Sequence, residues 1–409
     1  MMTETKTNDT LADLEAFRDG LREWVAKVRP PDGSRGRFCW AAETTRGPNV
    51  AATRYMVDGL LQANLLEEVW TARDRSACGQ WLAEMRSVET GGFRDPALFE
   101  RRSPDWPEDR SWPSASMVET VNQYAGDLAL YADFEEGLAG PRGRPAEGWP
   151  QPEDAPESML QWLRDRPFAT RPWAAGSHAM RMLQYLLQWE AEGRVSFDLL
   201  EQAFRLVYAE QDPGTGLWGG TKASRYERIN GTFKLLSLLR EMLRLPLPHA
   251  DRLIDQILGE MDRPDYDATV AGCDELDNWY VLAQALEPAG GHRREEIRER
   301  AARRIGRILE LYRSPDGGLS YRPATCQTAW IGFDMAPEVK QGDAMGLHIL
   351  GRAISICLAL GGLGDRAAWR SGTNIMNTTS IQRVDAGAME RASRRLAEAL
   401  GGGADRADA

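Results

Sequence analysis

The sequence has no Lys/Arg-rich stripe, no Cys-x-x-Cys pair and no stretch read as long and apolar enough to span a bilayer. Each absence removes a class of function. Nucleic acids and anionic membranes reward clustered cations, and a chain of formal charge −11 with no basic stripe is a poor partner for either. Five cysteines, Cys39, Cys78, Cys273, Cys326 and Cys357, lie too far apart for a disulfide framework, so reduced thiols are expected. The first ten residues, MMTETKTNDT, lack the basic start and apolar run of a signal peptide. A cytoplasmic location with no membrane span follows as the expectation.

What remains is an ordinary globular balance. Hydrophobic residues make up 42% and charged residues 27%, enough apolar surface to fold. A length of 409 residues exceeds one usual core, so the chain either divides into domains or grows by repetition.

Repetition is visible. Three glycine turns, each followed by an aromatic residue or leucine, end charged amphipathic stretches: Gly91-Gly92-Phe93, Gly216-Leu217-Trp218-Gly219 and Gly317-Gly318-Leu319. Less polar helices are expected to start near Arg46, Ser114, Trp173, Tyr226, Asp274 and Gly342. Before the last of these, Ile297, Ala301, Ile305, Ile308, Leu309 and Tyr312 recur at helical spacing among arginines and glutamates, the stripe of a helix wet on one side. Its successor, residues 346–362, is apolar nearly all round and belongs inside. The pattern predicts an all-α protein, an (α/α)6 toroid of six outer–inner hairpins over residues 11–361. Residues 1–10 are expected to be disordered, 362–400 to form an extension with one helix, and 401–409 a disordered tail. Residues 141–156 read as a Pro/Gly-rich loop.

In such an arrangement the first turns of the inner helices meet at one mouth, and these turns are more polar than the helix bodies. Asp274, Glu275 and Asp277, three carboxylates within four residues, are the candidate catalytic acids, because mutual repulsion and partial burial can keep a proton on one of them. Asp343 is a fourth candidate. Arg46, Asn49, Glu119, Asn122, Trp173, His178, Arg228, Asn230, Trp279 and His348 are the candidate substrate-binding residues. Against this stands helix capping, which Asp, Asn, Ser and Thr perform at any helix start. Capping does not account for Arg181, Arg228 and Lys234, since the positive end of a helix dipole disfavours cations. Cys273, Asp277 and His348 offer zinc-type donors, but no short motif fixes their spacing, so no metal or other cofactor is expected.

The glycine turns and the position of the acidic cluster resemble the α/α-toroid superfamily of terpenoid cyclases and protein prenyltransferase β-subunits, over roughly residues 11–361. In that superfamily a Gly-Gly-aromatic turn joins an outer to an inner helix, and class II cyclases carry an Asp-x-Asp-Asp acid at an inner-helix start. Asp274-Glu275-Leu276-Asp277 is similar in position, with Leu276 where that motif has an aspartate. The Asp-x-Cys zinc pair of the prenyltransferases is absent, because Cys273 precedes Asp274. Six-hairpin toroids also occur among glycoside hydrolases and polysaccharide lyases, which use carboxylates, His or Tyr, Arg and tryptophan platforms at the same kind of mouth. The resemblance therefore implies an enzyme acting on an isoprenoid with acid assistance, or one acting on an oligosaccharide. A non-catalytic scaffold is the third reading.

Overall fold

The computed structural model describes residues 4–87, 91–132, 134, 149–373 and 386–401. Among these the protein is all-α apart from two-residue strands, β1 (Ala329–Trp330) and β2 (Phe333–Asp334), paired antiparallel. The chain divides into two compact units. The first comprises residues 1–142, 267–276 and 295–372, and the second residues 143–266, 277–294 and 373–409.

The first unit contains α1 (Glu4–Lys27), α2 (Val50–Gln62), α3 (Ala72–Met85), α4 (Ala115–Tyr131), α11 (Arg294–Tyr312) and α12 (Ala344–Gly361). The second contains α5 (Pro156–Arg164), α6 (Pro172–Ala191), α7 (Phe197–Ala209), α8 (Arg225–Leu236, continued by a π turn to Met242), α9 (Ala250–Met261) and α13 (Ala386–Gly401). Between them in chain order stands α10 (Gly272–Leu286), whose first turn belongs to the first unit and whose body belongs to the second. The even-numbered helices from α2 to α12 begin within a few residues of the six expected starts.

Their burial follows the sequence pattern. Every residue of α2 from Val50 to Leu60 is buried, and α12 buries Leu347, Leu350, Ile354, Cys357 and Leu358 completely. α11 buries the expected stripe from Ile297 to Tyr312, while most of its arginines and glutamates stay at least partly exposed and Arg304 turns inward. By length and composition α12 would pass for a membrane span, against the expectation of none, but 83% of it is buried inside the fold. It is a core helix.

In the first unit α2 packs between α12 and α4. α2 and α12 run parallel and in register: Arg54 meets His348, Asp58 meets Arg352 and Gln62 meets Ser355. In the second unit α6 and α8 pack closely and in parallel, with Trp173 beside Glu227 and Met180 beside Ser237. Their approach requires glycine, since a Cβ on Gly176 would sit 2.7 Å from the Gly231 carbonyl oxygen.

The expectation of a disordered N-terminus is corrected: α1 is helical from Glu4. Its first turns are held because Thr7 is buried, Thr10 packs opposite Gly306 of α11, and Asn8 accepts a hydrogen bond from Arg366. Beyond α12, Trp369 is buried, with its indole N–H shared between the Gly351 carbonyl and the Ser355 hydroxyl. α13 packs on α6 and α7, with the Arg395 guanidinium 3.6 Å over the Phe197 ring and 2.9 Å from Glu190. Residues 141–148 and most of the expected C-terminal tail lie outside the described residues.

Candidate active site

The three glycine turns share one device. Gly91, Gly216 and Gly317 take positive φ (67°, 72° and 101°), and the residue after each turn bridges back to the end of the preceding helix, Phe93 to Arg86, Trp218 to Gln211 and Leu319 to Arg313. A side chain of the next helix then accepts the amide of the turned segment. Asn122 takes the Phe93 N–H, Thr232 takes Trp218 at 2.9 Å, and Asp343 takes Tyr321 at 2.8 Å. A fourth case, unannounced by a Gly-Gly pair, is Thr53 accepting Phe38 N–H at 3.0 Å after Gly36. Much of the polarity of these helix starts therefore latches turns to helices.

Several candidate site residues hold backbone in just this way. Asn49 caps α2 by accepting Ala52 N–H and donates to the Gly47 carbonyl. Arg46 is saturated, with three carbonyls (Ala97, Leu98 and Arg101), the Ser103 hydroxyl and Asp334 all accepting from its guanidinium. Asp343 caps α12 through Gly346 N–H and accepts Tyr321 and Gln327 N–H on its other oxygen, while burial pushes its carboxyl up to about 7. In the second unit Arg228 holds the turn residues Asp212 and Thr215 at 2.8 and 2.7 Å.

The acidic cluster divides by role. Asp274 accepts Ala271 N–H at 2.9 Å. Glu275 is fully buried, with its two oxygens 2.7 Å from Nε and Nη2 of Arg304 on α11. Asp277, in the second unit, is buried, as are Asn230 and Trp279. Trp173 packs edge-on to Tyr226, and the His178 ring lies 5.3 and 6.3 Å from the rings of Trp149 and Trp162, which pack on each other at 4.6 Å. Glu119 is half-buried on α4.

Of the expected residues, His348 alone stands at the centre of a further group, whose charged members Arg54, Asp58, Asp127 and Arg352 the sequence reading did not select. Its Nδ1 lies 2.5 Å from Asp58 Oδ2. Arg352 clamps the same carboxylate with Nε and Nη2, each at 2.7 Å. Arg54 Nη1 stands 3.3 Å from Nε2 and 3.4 Å from Nδ1, and Arg54 Nε lies 3.6 Å from Asp127 on α4. The Tyr55 ring packs 4.6 Å from the imidazole, and its hydroxyl meets the Tyr124 hydroxyl at 2.8 Å and accepts Trp330 N–H at 3.0 Å. Trp40 packs edge-on to Tyr55, and Trp330 stacks on Phe333. Trp330 and Phe333 sit on β1 and β2, whose tip places exposed Ile331 at φ 42°, a strained angle for a β-branched residue.

The electrostatics balance within this group. Burial would raise the Asp58 pKa, but Arg352 and His348 outweigh it and hold the carboxyl well below its usual range. Burial opposes charge on Arg54, and Asp58 and Asp127 outweigh it, so the guanidinium stays protonated. Burial, helped by Arg352 and Arg54 and opposed by Asp58, lowers His348 to about 3. Burial likewise keeps Tyr55 a neutral phenol. Two arginines thus match two aspartates, leaving a neutral imidazole and paired phenols among aromatic rings. One signal in the sequence pointed here: Arg54/Asp58 and His348/Arg352 are each four apart on otherwise apolar helices and so share a face.

Among the described residues, no three His, Cys, Asp or Glu side chains gather as a metal set would. Compared with models of known protein families and with curated proteins, the chain matches none. The functional reading rests on the geometry.

Proposed function

We propose that the six hairpins form an α/α toroid and that the chain is an enzyme performing acid–base chemistry on a carbohydrate. The observation that carries the proposal is the gathering of His348, Tyr55, Tyr124, Arg54 and Trp330 in one largely buried group. A neutral imidazole is a base, a phenol is an acid, and tryptophan and tyrosine faces pack against sugar rings. These are the residue types of the carbohydrate-active toroids. Tyr124 is the half-buried member of the group.

The isoprenoid reading keeps one supporting feature, since the faces of Trp40, Tyr55, Tyr124 and Trp330 suit a developing positive charge. Its acid is less well supplied: Glu275 is bound by Arg304 and Asp274 caps a helix start. The two chemistries separate in a thermal-shift screen of neutral and acidic oligosaccharides against isoprenoid diphosphates. A ligand at a hundredfold its Kd stabilises by about 2.7 kcal/mol. The proposal expects an oligosaccharide to raise the melting temperature, with the gain abolished in Tyr124→Phe and His348→Gln. Stabilisation by an isoprenoid diphosphate alone would move the assignment to the second chemistry, and no stabilisation by either would leave a scaffold.

A further inference from the structure

The carboxylate beside His348 is held from two directions, and that arrangement fixes which imidazole nitrogen carries the proton. Asp58 is ionised and fully buried, so both its oxygens only accept. Arg352 occupies Oδ1 with Nη2 and Oδ2 with Nε. Nδ1 of His348, 2.5 Å from Oδ2, must therefore be the N–H donor. A second proton on Nε2 would make an imidazolium between two guanidinium groups, Arg352 on its own helix and Arg54 on α2, in a region from which water is largely excluded. The remaining charged and titratable groups facing it are Asp58 and Tyr55 from α2, and Asp127 and Tyr124 from α4 through Arg54 and Tyr55.

We infer that the Asp58–Arg352 clamp locks His348 in the Nδ1–H tautomer, leaving Nε2 a permanent proton acceptor, and that Arg352 is a positioning residue of the site. The inference rests on the reading of this group as an acid–base centre, but it is decided without substrate. An unclamped Asp58 would pull a second proton onto His348 by ion pairing. Arg352 prevents this by sharing the carboxylate's charge, so the base stays unprotonated through the acid range in which an ordinary histidine is lost.

The test is the imidazole ¹⁵N spectrum of the full chain across pH 4 to 9, practicable because the sequence has four histidines, with His348→Gln identifying the signal. The expected result is one imidazole, protonated on Nδ1 and bare on Nε2, that does not titrate. In Arg352→Met the same imidazole should acquire a second proton in the titrated range, its midpoint rising by about 1 to 3 units, the effect of one adjacent charge. Arg352→Lys should restore neutrality in part. A wild-type His348 that titrates near the ordinary value, or carries its proton on Nε2, overturns the inference, and so does an Arg352→Met spectrum identical to wild type. Should Arg352→Met not fold, the wild-type spectrum alone decides by the same two criteria. Failure of the oligosaccharide screen with a locked tautomer would remove the substrate class and leave the lock standing.

Discussion

His348 couples to folding in the same direction as Asp58, whose carboxyl is also held below its usual range, but over a higher pH window. Its pKa is depressed from 6.5 to about 3 in the folded chain, so between those values the unfolded state binds a proton that the folded state refuses. Stability contributed by the neutral imidazole is whole above the unfolded value and is lost as pH falls toward the folded one. From pH 7 to pH 4 this amounts to about 3 kcal/mol, taking 1.36 kcal/mol per unit. His348→Gln should therefore lose about that much less stability than wild type over the same interval, measured by urea denaturation at both pH values. Equal losses would mean that the imidazole is protonated in the fold. At this scale the sequence was least legible. His348 was visible as a polar residue near a helix start, but Asp58 and Arg352 were not selected, because a polar pair four apart on an apolar helix reads as well for a solvated edge as for a buried cluster. Conversely, Arg46, Asn49 and Asp343 looked like site residues because capping, latching and binding all call on the same side chains.

Elements were far more legible, since glycine turns and helical stripes are local signals. The expected starts of the less polar helices lie within a few residues of Val50, Ala115, Pro172, Arg225, Gly272 and Ala344. What local pattern did not reveal is the latch, whose two ends lie 15, 29, 14 and 22 residues apart and whose acceptor is in turn Thr53, Asn122, Thr232 and Asp343. No single residue type marks it. Its energetic weight can be measured on α8, where both Thr232 and Trp218 are fully buried. Thr232→Val preserves shape and strands the Trp218 N–H, a loss of about 1 to 3 kcal/mol. Thr120→Val on α4 is the control, because that hydroxyl bonds only the Ser116 carbonyl of its own helix. It should change stability by no more than about 0.5 kcal/mol. Equal effects of the two substitutions in chemical denaturation would show that the latch is incidental to the turn.

Across the whole molecule the sequence read as one repeating domain, whereas the chain passes between two compact units at residues 142/143, 266/267, 276/277, 294/295 and 372/373. Repetition conceals such a division, because every hairpin looks like every other and the boundaries are set by which helices pack, not by composition. The consequence is that no cut in the chain yields a complete first unit. Residues 1–142 contain α2 and α4 but lack α12, the helix packed most closely along α2. Isolated, this segment would expose the apolar face of α2 and leave Asp58 without Arg352 or His348. Removing one partner of a buried ion pair alone costs about 3 to 5 kcal/mol, a large part of a typical domain's stability. The segment 1–142 expressed by itself should therefore show no cooperative thermal transition. The same residues preceded by 295–372 through a flexible linker restore α12 beside α2, and should recover one. A sharp transition in the isolated segment, seen by circular dichroism, would mean that α1 to α4 fold without α12, and that the Asp58–Arg352 pair is an addition to this unit and not a condition of it.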